Sequence, residues 1–90
     1  MQLDNMLLQA CKNNQKGVVQ TFLKRGGVDV NKRDESGNTP LIYTCMKSAR
    51  DLVKLLLDNG ADASLGNQKN RMPLHFAAQA GNFQIISLLC

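Results

Sequence analysis

Apolar positions in this chain return at a fixed interval, and that interval organises everything else in the sequence. "NTPLIYTC" runs from Asn38 to Cys45 and "RMPLHFAA" from Arg71 to Ala78, with Pro-Leu at the same offset, 33 residues apart. The same shift sets Leu41 on Leu74, Thr44 on Ala77, and Leu52 and Val53 on Ile85 and Ile86. A shift of 34 sets Leu7 on Leu41, Ala10 and Cys11 on Thr44 and Cys45, and Phe22 and Leu23 on Leu56 and Leu57. The extra residue falls in "RGGVDVN", where the middle unit has the shorter "NGADAS". Self-similarity at this period predicts three copies of one supersecondary unit, at about 3–33, 34–66 and 67–90, the last incomplete.

Within each unit the pattern predicts two short helices and a loop. In the middle unit Thr39 is placed to cap the first helix and Pro40 to occupy its first position, where a missing N–H costs nothing. Leu41, Thr44 and Cys45 then fall at i, i+3 and i+4 on one small apolar face. The second helix, "RDLVKLLLDN", carries Leu52, Val53, Leu55, Leu56 and Leu57 on a broad stripe, and Gly60 ends it as a left-handed cap. In the first unit Asp4 is the expected cap, with Leu3 stapled on Leu8, and Gly26 is the stop. The connecting "GGVDVNKRDESGN" and "GADASLGNQKNR" are polar and rich in turn formers. A lone helix pair cannot cover its own apolar faces, but stacked neighbours can. The predicted architecture is an all-α repeat solenoid, one domain spanning 1–90.

At this point the residues resemble a known family. "GNTPLIYTCMKSARDLVKLLLDNGADAS" is similar to an ankyrin repeat, and "MPLHFAAQAGNFQIISLLC" follows the same pattern to its leucine run. "LLQACKNNQKGVVQTFLKRGGVDVN" follows it more loosely. The resemblance implies helix-turn-helix units joined by β-hairpin-like loops. Each unit also departs from the T-P-L-H tetrapeptide: the middle one has Ile42 in the His place, and the last has Met72 in the Thr place. His75 is expected to be structural, within reach of a backbone carbonyl of the preceding hairpin. The turn between paired helices usually needs positive φ. Asn14 and Gly81 suit that, whereas Ser48 implies strain of about 1 kcal/mol or a different bend.

Composition narrows function without redirecting it. The chain has 90 residues, 43% hydrophobic and 20% charged, which argues against disorder and leaves room for one small core. The net charge of +4 comes from scattered Lys and Arg with few aromatics, not the clustered footprint of a nucleic-acid binder. No apolar run is long enough to span a bilayer, and "MQLDNMLLQA" does not read as a secretory signal. Cys11, Cys45 and Cys90 form neither an even disulfide framework nor a metal-ligand spacing, so reduced thiols in a cytoplasmic or nuclear protein are expected. In the family alignment Cys11 and Cys45 take a small-residue packing position, and Cys90 takes a place in the leucine run. His75 has no acid partner in its repeat, no glycine-rich phosphate loop occurs, and Asp29, Asp58 and Asp62 recur as loop residues. No enzymatic activity, cofactor or metal site is expected.

The resemblance implies a protein-binding scaffold working through hairpin tips and the exposed positions of each first helix, which form a concave surface. Carried over, these are Glu35, Ser36, Asn38, Gln68, Lys69 and Arg71 on the hairpins, and Lys12, Asn13, Met46, Lys47, Gln79 and Ala80 on the helices. Such a surface suits a moderately acidic protein or peptide with an apolar anchor for Met46. The alternative is a structural spacer positioning other domains. Lys24, Arg25, Arg50 and Lys54 are expected on a convex solubility face. Asn31 matches the hairpin asparagine that an asparaginyl hydroxylase modifies in some similar repeats, although a hairpin-stabilising role is the simpler expectation. The chain stops at "SLLC", inside the third repeat. Ile85, Ile86, Leu88 and Leu89 are therefore expected to lack a covering unit, which implies a longer array or self-association through the open end.

Overall fold

The computed structural model describes residues 3–89. It contains six helices in three pairs: α1 (Leu3–Lys12) with α2 (Lys16–Arg25), α3 (Pro40–Met46) with α4 (Arg50–Asp58), and α5 (Pro73–Gln79) with α6 (Phe83–Leu89). The first helices pack in one row, α1 on α3 on α5, and the second helices in a parallel row, α2 on α4 on α6. The result is a solenoid three units long, with extents of 33 × 25 × 20 Å. The repeat architecture expected from the period is the observed one.

Each pair is closed by the same backbone device. Asn14, Ser48 and Gly81 have φ of 56°, 53° and 67°, one per unit. The next residue donates its N–H back five positions: Gln15 to the Ala10 carbonyl, Ala49 to Thr44 and Asn82 to Ala77, at 2.8, 2.9 and 3.1 Å. This is the Schellman closure of a helix C-terminus, and it needs one left-handed residue. Ser48 therefore takes the strained conformation and does not bend differently. The long arms between units repeat as strictly. Asp34 Oδ1 accepts from the N–H of Ser36 and Asn38, and Asn67 Oδ1, 33 residues on, accepts from Lys69 and Arg71. Two backbone bonds close each hairpin: Asp34 N–H to the Asn38 carbonyl and Gly37 N–H to the Asp34 carbonyl in the first, Asn67 N–H to the Arg71 carbonyl and Asn70 N–H to the Asn67 carbonyl in the second. Among the described residues these hairpins contain no strand, and their shape comes from tight turns closed by these backbone and side-chain bonds together.

Helix starts follow the sequence in the second and third units and depart from it in the first. The Thr39 hydroxyl accepts from Ile42 N–H at 3.2 Å, with Pro40 next. Met72 at the same place in α5 offers no side-chain cap. Asp4 and Leu3 lie inside α1, so Asp4 is not its cap and the staple on Leu8 does not arise as drawn. The Asp4 carboxylate instead accepts from Asp29 N–H at 2.8 Å, as the Asn31 side chain accepts from Asp62 N–H at 2.8 Å.

The core runs the length of the stack: Leu7, Leu41, Leu52, Leu56, Val19, Val53 and Ile85, with Ala10, Ala77, Cys11 and Cys45 where helices approach closely. Each such aliphatic side chain contributes about 1.5–3 kcal/mol on burial. Leu55 and Leu57 are half-buried at the edge of the stripe. The open end differs from expectation. Ile85 is fully buried and Ile86, Leu88 and Leu89 are half-buried, because α6 turns this face back on α4 and α5. The large apolar side chains left exposed in the third unit are Met72, Leu74 and Phe83.

Candidate functional site

The last turn of each first helix leaves the core, and its side chains reach solvent on the side of the stack away from the second helices. Lys12 and Asn13 after α1's buried Cys11, Met46 and Lys47 after α3's buried Cys45, and Gln79 and Ala80 at the end of α5 are all exposed. Glu35, Ser36, Gln68, Lys69 and Arg71 are exposed on the hairpins. Asn38 is the exception and a correction. It is buried, its Nδ2 pointing at the Tyr43 hydroxyl at 3.4 Å and its Oδ1 accepting from Asn67 Nδ2 at 3.0 Å. Asn38 ties successive hairpins together and is withdrawn from any partner. Gln68 is partly committed too: its N–H donates to the Ser36 carbonyl and its side-chain amide to the Glu35 carbonyl.

Two depressions open along this side. Between units 2 and 3, a groove of about 260 Å³ is lined by Ser36, Met46, Gln68, Lys69 and Arg71, with Asn38, Asn67 and Phe76 at its base. Between units 1 and 2, a more open depression of about 640 Å³ brings Lys12, Glu35 and Ser36 together with Asn5, Gln9, Arg33, Asp34 and Tyr43. Asn13, Lys47 and Gln79 line neither. Tyr43 and Phe76 were missed by the sequence reading. The signal was available, since the two aromatics sit 33 residues apart at one position of successive first helices.

Tyr43 is the better-anchored of the two. Its hydroxyl donates to the Asp34 carboxylate, and the Lys12 ammonium lies 5.8 Å from its ring centroid. Partial burial, with the Asp34 carboxylate beside it, pushes the phenol pKa up, so the hydroxyl stays a donor. An exposed cation–π contact of this kind is worth about 0.5–1 kcal/mol. Tyr43 thus holds the first hairpin against the first-helix row.

Ion pairing differs between the two sides of the molecule. Among the described residues the ion pairs lie along the second helices: Lys16–Asp51 at 3.0 Å, Arg50–Asp51 at 3.9 Å and Lys54–Asp58 at 3.0 Å. Lys16 beside it holds the Asp51 carboxyl below the usual range. These exposed pairs contribute little stability, and Lys24 and Arg25 on α2 have no carboxylate within 4.0 Å, so that side stays positive as well. Lys47, Lys69 and Arg71 on the other side have no carboxylate within 4.0 Å. The groove between units 2 and 3 thus carries Lys69 and Arg71 without a carboxylate in pairing distance, beside the apolar Met46 and Phe76 and the amides of Asn38, Asn67 and Gln68.

Among the remaining candidates for chemistry, Cys11 and Cys45 pack in the core, and Asp29, Asp58, Asp62 and Asn31 are engaged in turns, an ion pair or contacts between arms. Burial pushes the Cys11 and Cys45 thiols up to about 12, far from reactive thiolates, and Cys90 lies outside the described residues. His75 is exposed and makes an edge contact with Phe76, ring centroids 6.3 Å apart, in place of the hairpin bond expected for it. Asp29 and Asp62 hold Asx turns, and Asp58 pairs with Lys54. Asn31 is half-buried, with its oxygen on Asp62 N–H and its Nδ2 3.4 Å from the Gly60 carbonyl. No group of three His, Cys, Asp or Glu among the described residues could hold a metal ion, and no helix there is long and apolar enough to cross a membrane.

A family model described as ankyrin repeats (3 copies) matches residues 7–90. Among curated proteins, human inversin is 35% identical over 80 residues, covering 89% of this chain and 8% of inversin. The human 2-5A-dependent ribonuclease is 36% identical over 83 residues, covering 91% of this chain and 11% of that enzyme. A putative ankyrin repeat protein of fowlpox virus is 37% identical over 87 residues, covering 94% of this chain and 20% of its relative. The chain thus spans a small part of each relative's length. The ribonuclease shares a repeat segment with this chain, and its catalysis is not carried over by that likeness. Repeats of this kind serve in general as protein–protein interaction modules.

Proposed function

Because the chain belongs to the ankyrin-repeat family, we propose that it is a recognition module taking an acidic segment of a partner protein on its concave side, with one apolar residue of that segment seated on Met46 and Phe76. The observation that carries this reading is the groove between units 2 and 3. Its lining holds Lys69 and Arg71, Lys47 follows Met46 in the chain, and none of the three has a carboxylate within 4.0 Å. Rim charges steer and select, while a desolvated apolar contact at the centre supplies most of the affinity. The groove is built on helices and on hydrogen-bonded hairpins, so little ordering entropy is lost on binding. Lys12, Asn13 and Gln79, outside the groove but on the same side, extend the surface along the partner. Binding, not reaction, is the proposed activity.

The test uses a fluorescent Asp/Glu-rich peptide with one central leucine, titrated by anisotropy. A Met46→Glu, Lys47→Glu double variant should lose binding at least tenfold. A Lys24→Glu, Arg25→Glu variant, altered on the second-helix side, should match wild type. Replacing the peptide's leucine by serine should weaken binding, and added salt should weaken it further. Equal loss in both protein variants, or no binding by wild type, refutes the proposal.

A further inference from the structure

Asn59 is the one asparagine in this chain that is followed by glycine. That dipeptide is chemically labile in water, because a glycine nitrogen, with no Cβ beside it, can reach the carbonyl carbon of the preceding side chain. The pair sits where α4 ends. Asn59 and Gly60 are both exposed, and Gly60 takes the left-handed conformation at φ 91°. Three hydrogen bonds hold the folded turn: Asn59 Nδ2 donates to the Leu55 carbonyl at 2.7 Å, Asn59 N–H to Leu56 at 3.0 Å and Gly60 N–H to Leu57 at 3.2 Å. The Gly60 nitrogen is thus committed, and its attack on Asn59 Cγ requires this turn to open first.

The turn is weakly closed. The last turn of α4 carries no basic residue and ends on Asp58, a charge of the wrong sign for a helix C-terminus, with its partner Lys54 one turn earlier. By contrast, α2 ends on Lys24 and Arg25. Exposed helix ends of this kind open locally, well below the cost of global unfolding.

We propose that Asn59–Gly60 is a deamidation site whose rate is set by the opening of the last turn of α4. In the open turn the Gly60 nitrogen loses its proton and bonds to Asn59 Cγ. The Cγ–Nδ2 bond breaks and ammonia leaves, giving a five-membered succinimide. Water then opens the ring at either carbonyl, leaving aspartate or, with the chain rerouted through Cβ and Cγ, isoaspartate. The net reaction consumes water, releases ammonia and needs no other reactant.

Either product is felt beyond the turn. Both lose the Nδ2 donor to Leu55 and set a second negative charge beside Asp58 at the helix end. Isoaspartate also adds a methylene to the backbone just ahead of Gly60. The arm from the first unit rests on this point: Asn31 Nδ2 lies 3.4 Å from the Gly60 carbonyl, and its Oδ1 accepts from Asp62 N–H at 2.8 Å. Conversion therefore loosens the contact between successive arms. Asn59 and Gly60 line neither depression of the concave side, so this inference stands apart from the binding proposal.

The test incubates the full chain at neutral and at mildly alkaline pH, with and without unfolding urea, and follows it by peptide mass mapping and enzymatic methylation of isoaspartate. In the folded chain Asn59 should convert before every other asparagine, and faster at the higher pH. In urea its conversion should run several times faster still. Asn59→Gln, which keeps an amide donor, should abolish the early mass gain, with circular dichroism confirming its fold. In the purified isoaspartate form, hydrogen exchange at the Asp62 amide should speed up several-fold. Earlier conversion of another asparagine overturns the site, as does an intact Asn59 in the folded chain once the unfolded chain has fully converted. Equal rates with and without urea overturn the control by the turn, and unchanged exchange at Asp62 overturns the link to the arm.

Discussion

Gly37 is where the stacking of hairpins can be measured directly. Its φ is +78°, and a Cβ built on it would sit 2.8 Å from the backbone nitrogen of Gln68 in the next hairpin and 3.3 Å from the carbonyl carbon of Asn67. Gly60 has φ of +91° and nothing within 4 Å of its own Cβ position, so it serves as a matched control. Forcing an L-residue into this conformation costs about 1–2 kcal/mol at either site. At Gly37 the added methyl must also push the second hairpin away and break the Gln68 N–H to Ser36 carbonyl bond of 3.1 Å, worth roughly 0.5–1.5 kcal/mol net. Gly37→Ala should therefore lose about 2–3 kcal/mol and Gly60→Ala about 1–2 kcal/mol. Urea denaturation reads the difference, since about 1 kcal/mol moves the midpoint by roughly 0.3–1 M. Gly37→Asn sharpens the comparison. Asn70 occupies the equivalent position at φ 59°, so asparagine tolerates the conformation and only the Cβ clash remains. If Gly37→Ala is no worse than Gly60→Ala, the hairpins are not in register contact and this account of the stack is wrong.

The other predictions concern single features of the same scaffold. Ser48→Gly should raise stability by roughly 0.5–1 kcal/mol, strain relief at φ 53° being partly offset by glycine's freedom in the unfolded chain; an unchanged or lower urea midpoint would refute it. Thr39→Ala should lose about 1–2 kcal/mol with its cap, whereas Met72→Thr should gain about 1 kcal/mol by supplying the cap that α5 lacks, both read from thermal melts. Asp51 has a folded pKa held below its ordinary 3.8 by Lys16, so its contribution is complete above 3.8 and is lost as pH falls below it. The small stability gap between wild type and Asp51→Asn should accordingly be present near neutrality and vanish well below pH 3.8; a gap that widens in acid would contradict the sign. Cys11 and Cys45, with thiols pushed up to about 12, should resist iodoacetamide while the protein is folded and react once urea unfolds it, as peptide mass spectrometry would show.

Sequence alone determined the parts of this protein that depend on spacing along the chain. The 33-residue period, Thr39 and Pro40 at a helix start, the left-handed closures at Asn14 and Gly81, and the solvent-facing ends of α1, α3 and α5 all follow from spacing and local geometry, because helix periodicity fixes which side chains share a face. Tertiary structure decided whatever depends on the neighbouring unit. Asn38 looked like a hairpin-tip contact and is buried, because a second hairpin brings Asn67 against it. Asp4 looked like a cap and instead accepts a hydrogen bond from Asp29, 25 residues away. Leu74 aligns with the buried Leu41 and is exposed, while Ile85 was expected to lack cover and is buried, because burial depends on which face of a unit has a neighbour. Tyr43 and Phe76 joined the candidate surface only when the units were stacked. A repeat sequence encodes the unit, and the contacts between units assign each residue to core, junction or binding surface, since each unit covers only one face of the next.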